Sequence, residues 1–177
     1  MMVLFTGGAD SGKSTLAEEL MLRFPPSYSY IATMRPYGAE GRARVKRHLQ
    51  RRAGKGFDTI ERCLGLASLR VQGSAILECV GNLVANEMFD QEGAGTDAFQ
   101  AVMAGFDHLA AQCNHLVIVT NEVGSDGRQY DENTQRYIHT LGRVNCQIAK
   151  RCDAVAEAVC GQAVWLKGED LCKFYVR

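Results

Sequence analysis

The residues best suited to chemistry are Gly7, Gly8, Ala9, Asp10, Ser11, Gly12, Lys13 and Ser14, which fit the spacing G-x-x-x-x-G-K-[ST] and follow the apolar run Met2-Val3-Leu4-Phe5. Glycines let the backbone curl so that successive N–H groups point at one anion, and a helix that follows adds its positive N-terminal end. The segment from Ser14 to Met21 is helix-forming, so the pattern stands between a short buried strand and a helix. That is the context in which it means a phosphate-binding loop. Lys13 is then placed to reach the β- and γ-phosphates of a nucleoside triphosphate, and the Ser14 hydroxyl to ligate Mg²⁺.

A second group is a charged stripe. Glu40, Arg44, His48 and Arg52 recur at intervals of four within a segment that reads as helix, which places all four along one face. Such a stripe is commonly a solvated helix face, because pairs of this kind contribute only about 0.2–0.5 kcal/mol each. The sharper reading is a histidine flanked one turn away on each side by guanidiniums. Arginine forks bind phosphate oxygens, and a neutral imidazole can attack phosphorus to give a phosphoramidate. Lys46, Arg47 and Arg51 add to the positive field of the segment.

Carboxylates at strand ends form the third group. Ser74-Ala75-Ile76-Leu77 is a short apolar run ending at Glu78, positioned to hold Mg²⁺ beside Ser14. The run Leu116-Val117-Ile118-Val119-Thr120 leads into Asn121 and Glu122. In an open parallel sheet, groups just past the carboxyl ends of strands line the binding crevice, so both are expected to face substrate or metal. His108 and His115 sit in or beside apolar segments without metal-type spacing and read as structural.

The elements that must position these groups alternate between β-type runs and amphipathic helical stretches, the pattern of an α/β domain with a mostly parallel sheet. Strands are expected at 2–6, 28–32, 74–79 and 116–120, with helices at 13–23, 39–53, 82–89, 97–112 and 132–150. Two further strands, around 153–160 and 163–167, are joined by the two-residue turn Gly161-Gln162 and read as an antiparallel hairpin on the sheet edge. Pro25-Pro26 should stop the first helix near Arg23, and the glycine-bearing stretch Asp90 to Asp97 reads as a mobile loop.

A chain of 177 residues suits one domain over 1–177. Twenty basic and twenty acidic residues balance, which argues against a nucleic-acid or anionic-membrane binder driven by bulk charge. Seven cysteines without a C-x-x-C pair read as buried reduced thiols. With no room before the first strand for a secretory leader and no membrane-length apolar run, a soluble cytoplasmic protein is expected.

In order along the chain, "VLFTGGADSGKS", "YIAT" at Tyr30 to Thr33, the Glu40, Arg44, His48, Arg52 series, "TIE" at Thr59 to Glu61, "LEC" at Leu77 to Cys79, "VTNEVG" at Val119 to Gly124 and "GRVN" at Gly142 to Asn145 resemble the bifunctional adenosylcobinamide kinase/adenosylcobinamide-phosphate guanylyltransferases of cobalamin synthesis. The resemblance implies a P-loop NTPase-type fold, and a nucleoside triphosphate, ATP or GTP, phosphorylating the aminopropanol hydroxyl of adenosylcobinamide. GTP then donates GMP to that product through a histidine, whose position His48 occupies. It further implies nucleotide contacts from Thr33, Arg44, Arg52, Glu61 and Glu78, Mg²⁺ as cofactor, and a homo-oligomer. Between Ser125 and His139 the chain departs from the family pattern: Arg136 stands one position from the usual arginine, a helical rotation of about 100°. Two other readings stay open on the residues alone: a P-loop kinase with a single activity, and a nucleotide-binding module without chemistry.

Overall fold

The computed structural model describes residues 1–36, 38, 39, 41, 43, 46, 50 and 52–173. Seven strands form one sheet: β1 (Met2–Thr6), β2 (Tyr28–Ala32), β3 (Phe57–Glu61), β4 (Ser74–Glu78), β5 (Leu116–Val119), β6 (Ala154–Val159) and β7 (Gln162–Lys167). They lie in the order β3-β2-β4-β5-β1-β6-β7. Every neighbouring pair is parallel except β6 with β7. Parallel strands need crossover connections, and the helices α1 (Lys13–Met21), α2 (Val80–Phe89), α3 (Ala98–Gln112) and α4 (Glu132–Arg151) lie in those crossovers. A short helix α5 (Glu169–Lys173) follows β7.

The central strands are apolar throughout because the sheet is covered on both faces. Alternate residues divide between two cores: Leu4, Ile31, Leu77 and Ile118 pack towards α2, α3 and α4, while Phe5, Tyr30, Ile76 and Val117 pack towards α1. In α4, Leu141, Val144 and Ile148 bury one face at spacings of three and four. The N-terminus of α4 is capped by the Asp131 carboxylate, which accepts from the Thr134 N–H at 3.1 Å.

The α/β architecture and the edge hairpin agree with the expectation. The hairpin turn is Cys160-Gly161, both at positive φ (49° and 80°), one residue before the expected pair and matching the twist that two-residue turns require. Helix α1 ends at Met21, two residues before Arg23. Strand β3 was not anticipated. It is a sheet edge with Asp58 and Glu61 exposed, and its apolar residues Phe57 and Ile60 do not alternate. The stretch 90–97 is tied down rather than loose: the buried Glu87 carboxylate accepts from the Ala94 and Gly65 N–H groups. All seven cysteines are free, but Cys146 and Cys160 are exposed, so only part of the set fits the expectation of buried thiols. No described helix is long and apolar enough to cross a membrane.

Candidate active site

The loop between β1 and α1 is a turn that only glycine accommodates at two points. Gly7 has φ 139°, and a Cβ there would lie 2.8 Å from the Ala158 carbonyl oxygen; Gly12 has φ 98°, and its Cβ would lie 2.9 Å from Gly161 Cα. The hairpin turn therefore sits against the loop, and the Gly161 N–H donates to the Ser11 carbonyl at 2.9 Å. From the other side the Glu122 N–H donates to the Gly7 carbonyl at 3.1 Å. Backbone hydrogen bonds on both flanks hold the loop in this curl.

Around this loop lies a cavity of about 630 Å³ at the carboxyl ends of the strands, the place where parallel α/β sheets bind ligands. Lys13, only 6 % exposed, donates to the Gly8 carbonyl and approaches Ser11 Oγ at 3.5 Å. Burial pushes its pKa down, opposed by the nearby Cys79, Asp10 and Glu78. The Ser14 hydroxyl donates to Glu78 Oε1 at 2.5 Å, joining the first residues of α1 to the end of β4. Burial pushes the Glu78 carboxyl up to about 7, Glu18 adds to the rise, and the Ser14 hydrogen bond and Lys13 oppose it.

Arg52 closes the opposite wall. Its guanidinium stacks 3.6 Å from the centroid of the buried Tyr30 ring, and its Nη1 lies 4.0 Å from Glu78 Oε2. A guanidinium stacked on an aromatic face keeps its N–H groups in the plane parallel to the ring, the edge with which arginine binds phosphate oxygens.

Of the residues singled out in the sequence, Ala9, Asp10, Ser11, Gly12, Lys13, Ser14, Thr33, Arg52, Glu61, Glu78 and Asn121 all line this cavity. Gly7 and Gly8 act beneath it through their carbonyls. Thr33 serves the frame as well: its hydroxyl donates to the Cys79 carbonyl and accepts from the Cys79 N–H, both at 2.8 Å. Glu122 is exposed, and its carboxylate accepts from Ser125 Oγ at 2.8 Å instead of entering the cavity. Glu40, Arg44 and His48 lie outside the described residues. As expected, His108 and His115 belong to the frame: His108 Nε2 meets the Leu69 carbonyl oxygen at 2.8 Å, and the His115 ring stacks 3.9 Å from Phe24.

Sequence reasoning missed Tyr30 as the seat of Arg52, Asn82 in the cavity wall, and Asn145. The Asn145 amide accepts from Thr120 Oγ1 at 2.7 Å and donates to the Asn121 carbonyl at 3.1 Å, fixing the segment that carries Asn121. The only available signals were the motifs in which Tyr30 and Asn145 fall.

A family model described as cobinamide kinase / cobinamide phosphate guanyltransferase matches residues 3–166. The chain is 34 % identical over 183 residues to the bifunctional adenosylcobalamin biosynthesis protein CobU of Escherichia coli (strain K12), with 94 % of this chain and 100 % of that protein covered. It is 31 % identical over 176 residues to the bifunctional adenosylcobalamin biosynthesis protein CobP of Pseudomonas aeruginosa, covering 97 % of this chain and 100 % of the relative. To CobU of Salmonella typhimurium it is 31 % identical over 189 residues, covering 94 % and 100 %. With a G-x-x-x-x-G-K-S loop on a parallel sheet and a match running from the first strand to the last, the chain belongs to the cobinamide kinase / cobinamide phosphate guanyltransferase family.

Proposed function

We propose that the protein, as one catalytic unit over 1–177, phosphorylates adenosylcobinamide with ATP or GTP and then transfers GMP from GTP, through a guanylyl-histidine on His48, to give adenosylcobinamide-GDP. The observation that carries the reading is the convergence of Lys13, the Ser14–Glu78 pair and the stacked Arg52 on one cavity. In the first transfer the aminopropanol hydroxyl oxygen bonds to the γ-phosphorus, the bond to the β–γ bridging oxygen breaks, and the hydroxyl proton is released. Phosphoryl transfer is mostly positioning and charge stabilisation, which the loop N–H groups and Lys13 supply.

In the second transfer the His48 imidazole nitrogen bonds to the α-phosphorus of GTP and pyrophosphate departs. An oxygen of adenosylcobinamide phosphate then takes the GMP and the P–N bond breaks, restoring the imidazole. Covalent relay splits one difficult displacement into two. Arg52, with Arg44 in the same series, binds the phosphate oxygens that gain charge.

Ser14 and Glu78 would hold Mg²⁺. They offer a hydroxyl and a carboxylate oxygen 2.5 Å apart, a hard-oxygen pair that leaves the other positions for phosphates and water, as this ion prefers. Bound there, the ion supplies neutralising charge to the phosphate oxygens. A cytoplasmic homo-oligomer without nucleic-acid or membrane partners belongs to the same proposal and rests on family membership and balanced charge.

The test is GTP labelled at the α-phosphate, with Mg²⁺, followed by denaturation. Native protein should retain an acid-labile, base-stable label that His48→Ala lacks. Absence of label on folded, GTP-binding native protein would overturn the relay and leave a kinase of one activity.

A further inference from the structure

We propose that a second cleft, formed by α4 with the start of α3, is a binding site for a small multiply charged phosphate anion of the size of inorganic pyrophosphate. The cleft has a volume of about 290 Å³ and is lined by Arg136, His139 and Arg143 of α4, facing Thr96, Phe99 and Gln100. Positions 136, 139 and 143 are three and four apart, so the three side chains share one helix face. Met88, near the end of α2, borders this cleft, whereas Asn82, near its start, borders the catalytic cavity. Six helical residues separate the two sites by roughly 9 Å along that helix.

The charge in this cleft is unbalanced. No carboxylate lines it, and neither Arg136 nor Arg143 forms an ion pair with a carboxylate among the described residues. Other arginines of this fold do find acids: Arg35 pairs with Asp90, Arg128 with Asp126 and Arg151 with Asp107. Glu132, one turn before Arg136, does not close on it. Arg136 and Arg143 are both exposed, so two positive charges border one cleft with no counter-charge in its lining.

Arg143 is also held in place. Its guanidinium lies 4.2 Å from the centroid of the Phe99 ring, so the exposed side chain rests on an aromatic wall while its N–H edges stay available. Thr96 and Thr140 bring hydroxyls to the same cleft and His139 an imidazole, a donor set suited to several oxygens of one anion. The volume lies near the lower limit for organic ligands, a size that suits a diphosphate.

Because the Lys13 cradle also takes phosphate anions, inorganic pyrophosphate should be titrated calorimetrically into the Lys13→Ala protein, then into the same protein carrying Arg136→Gln and Arg143→Gln. The expected result is one equivalent bound by the first and at least tenfold weaker binding by the second. No binding to the first, or equal binding to both, would overturn the proposal. A second measurement uses the native chain: pyrophosphate should slow amide exchange in the segments 95–100 and 136–143 as well as in the phosphate loop. Protection confined to the phosphate loop would overturn it too. Neither readout depends on the relay proposed for His48.

Discussion

Lys55 places its ammonium 2.7 Å from Glu18 Oε2, linking the turn that follows Arg52 to the helix that begins at the phosphate loop. Glu18 is only 1 % exposed and Lys55 34 %. Glu18 stands one turn after Ser14, on the same face of α1, while the Lys55 N–H donates to the Arg52 carbonyl at 3.1 Å. An ion pair thereby joins the segments that carry the glycine-rich loop and the stacked guanidinium.

Removing one partner of a buried pair costs far more than removing both. Lys55→Ala should destabilise the fold by about 1 kcal/mol, because the lysine is 34 % exposed and solvent screens the pair. The double variant Lys55→Ala/Glu18→Gln should recover at least half of the loss. Urea unfolding of the four proteins in the cycle measures this, and strictly additive losses would show that the pair is not coupled.

Glu78 gives a pH signature of definite sign. Its carboxyl is raised from 4.5 to about 7 in the folded protein by burial, so the folded state holds a proton that the unfolded chain releases above pH 4.5. Its contribution is present in full below that pH and is lost as pH rises through 7. Glu78→Gln removes the titration, and its stability relative to the native protein should improve by up to about 3 kcal/mol between pH 4.5 and pH 8. A difference that stays constant across urea titrations at several pH values would contradict the burial argument.

Gly12 and Gly161 touch but should respond differently. At Gly161 a Cβ meets nothing within 4 Å, so Gly161→Ala carries only the cost of a positive φ, about 1–2 kcal/mol. Gly12→Ala carries that cost and also drives a Cβ to 2.9 Å from Gly161 Cα, deforming the cradle. Nucleotide affinity should fall at least tenfold for Gly12→Ala and no more than threefold for Gly161→Ala, read by equilibrium binding of a fluorescent GTP analogue.

Arg52→Lys keeps the charge and discards the plane. The stack on Tyr30 and the fork towards phosphate both require a guanidinium, and a desolvated cation–π contact is worth about 2 kcal/mol. Guanylylation with labelled GTP should slow at least tenfold, while Arg35→Lys, at an arginine paired with Asp90 outside the cavity wall, should leave the rate unchanged.

The sequence by itself determined the strand–loop–helix unit around Lys13, the parallel α/β class, the edge hairpin and the proximity of Glu78 to Ser14. Each follows from periodicity, from glycines where the chain must curl, or from the rule that parallel strands gather their carboxyl ends on one side. Tertiary structure alone decided the order β3-β2-β4-β5-β1-β6-β7, the seating of Arg52 on Tyr30, the Glu18–Lys55 link and the backing of the phosphate loop by Gly161. These are contacts between residues distant in the chain, 37 positions apart for Glu18 and Lys55, and no local pattern encodes them. Strand β3 was illegible for a related reason. Its place is fixed by pairing with β2 along one edge, not by a hydrophobic alternation of its own. Glu122 shows the converse. Its position after β5 pointed it at the cavity, but a strand end sets only where the backbone emerges, and the Ser125 hydroxyl decided where the carboxylate went.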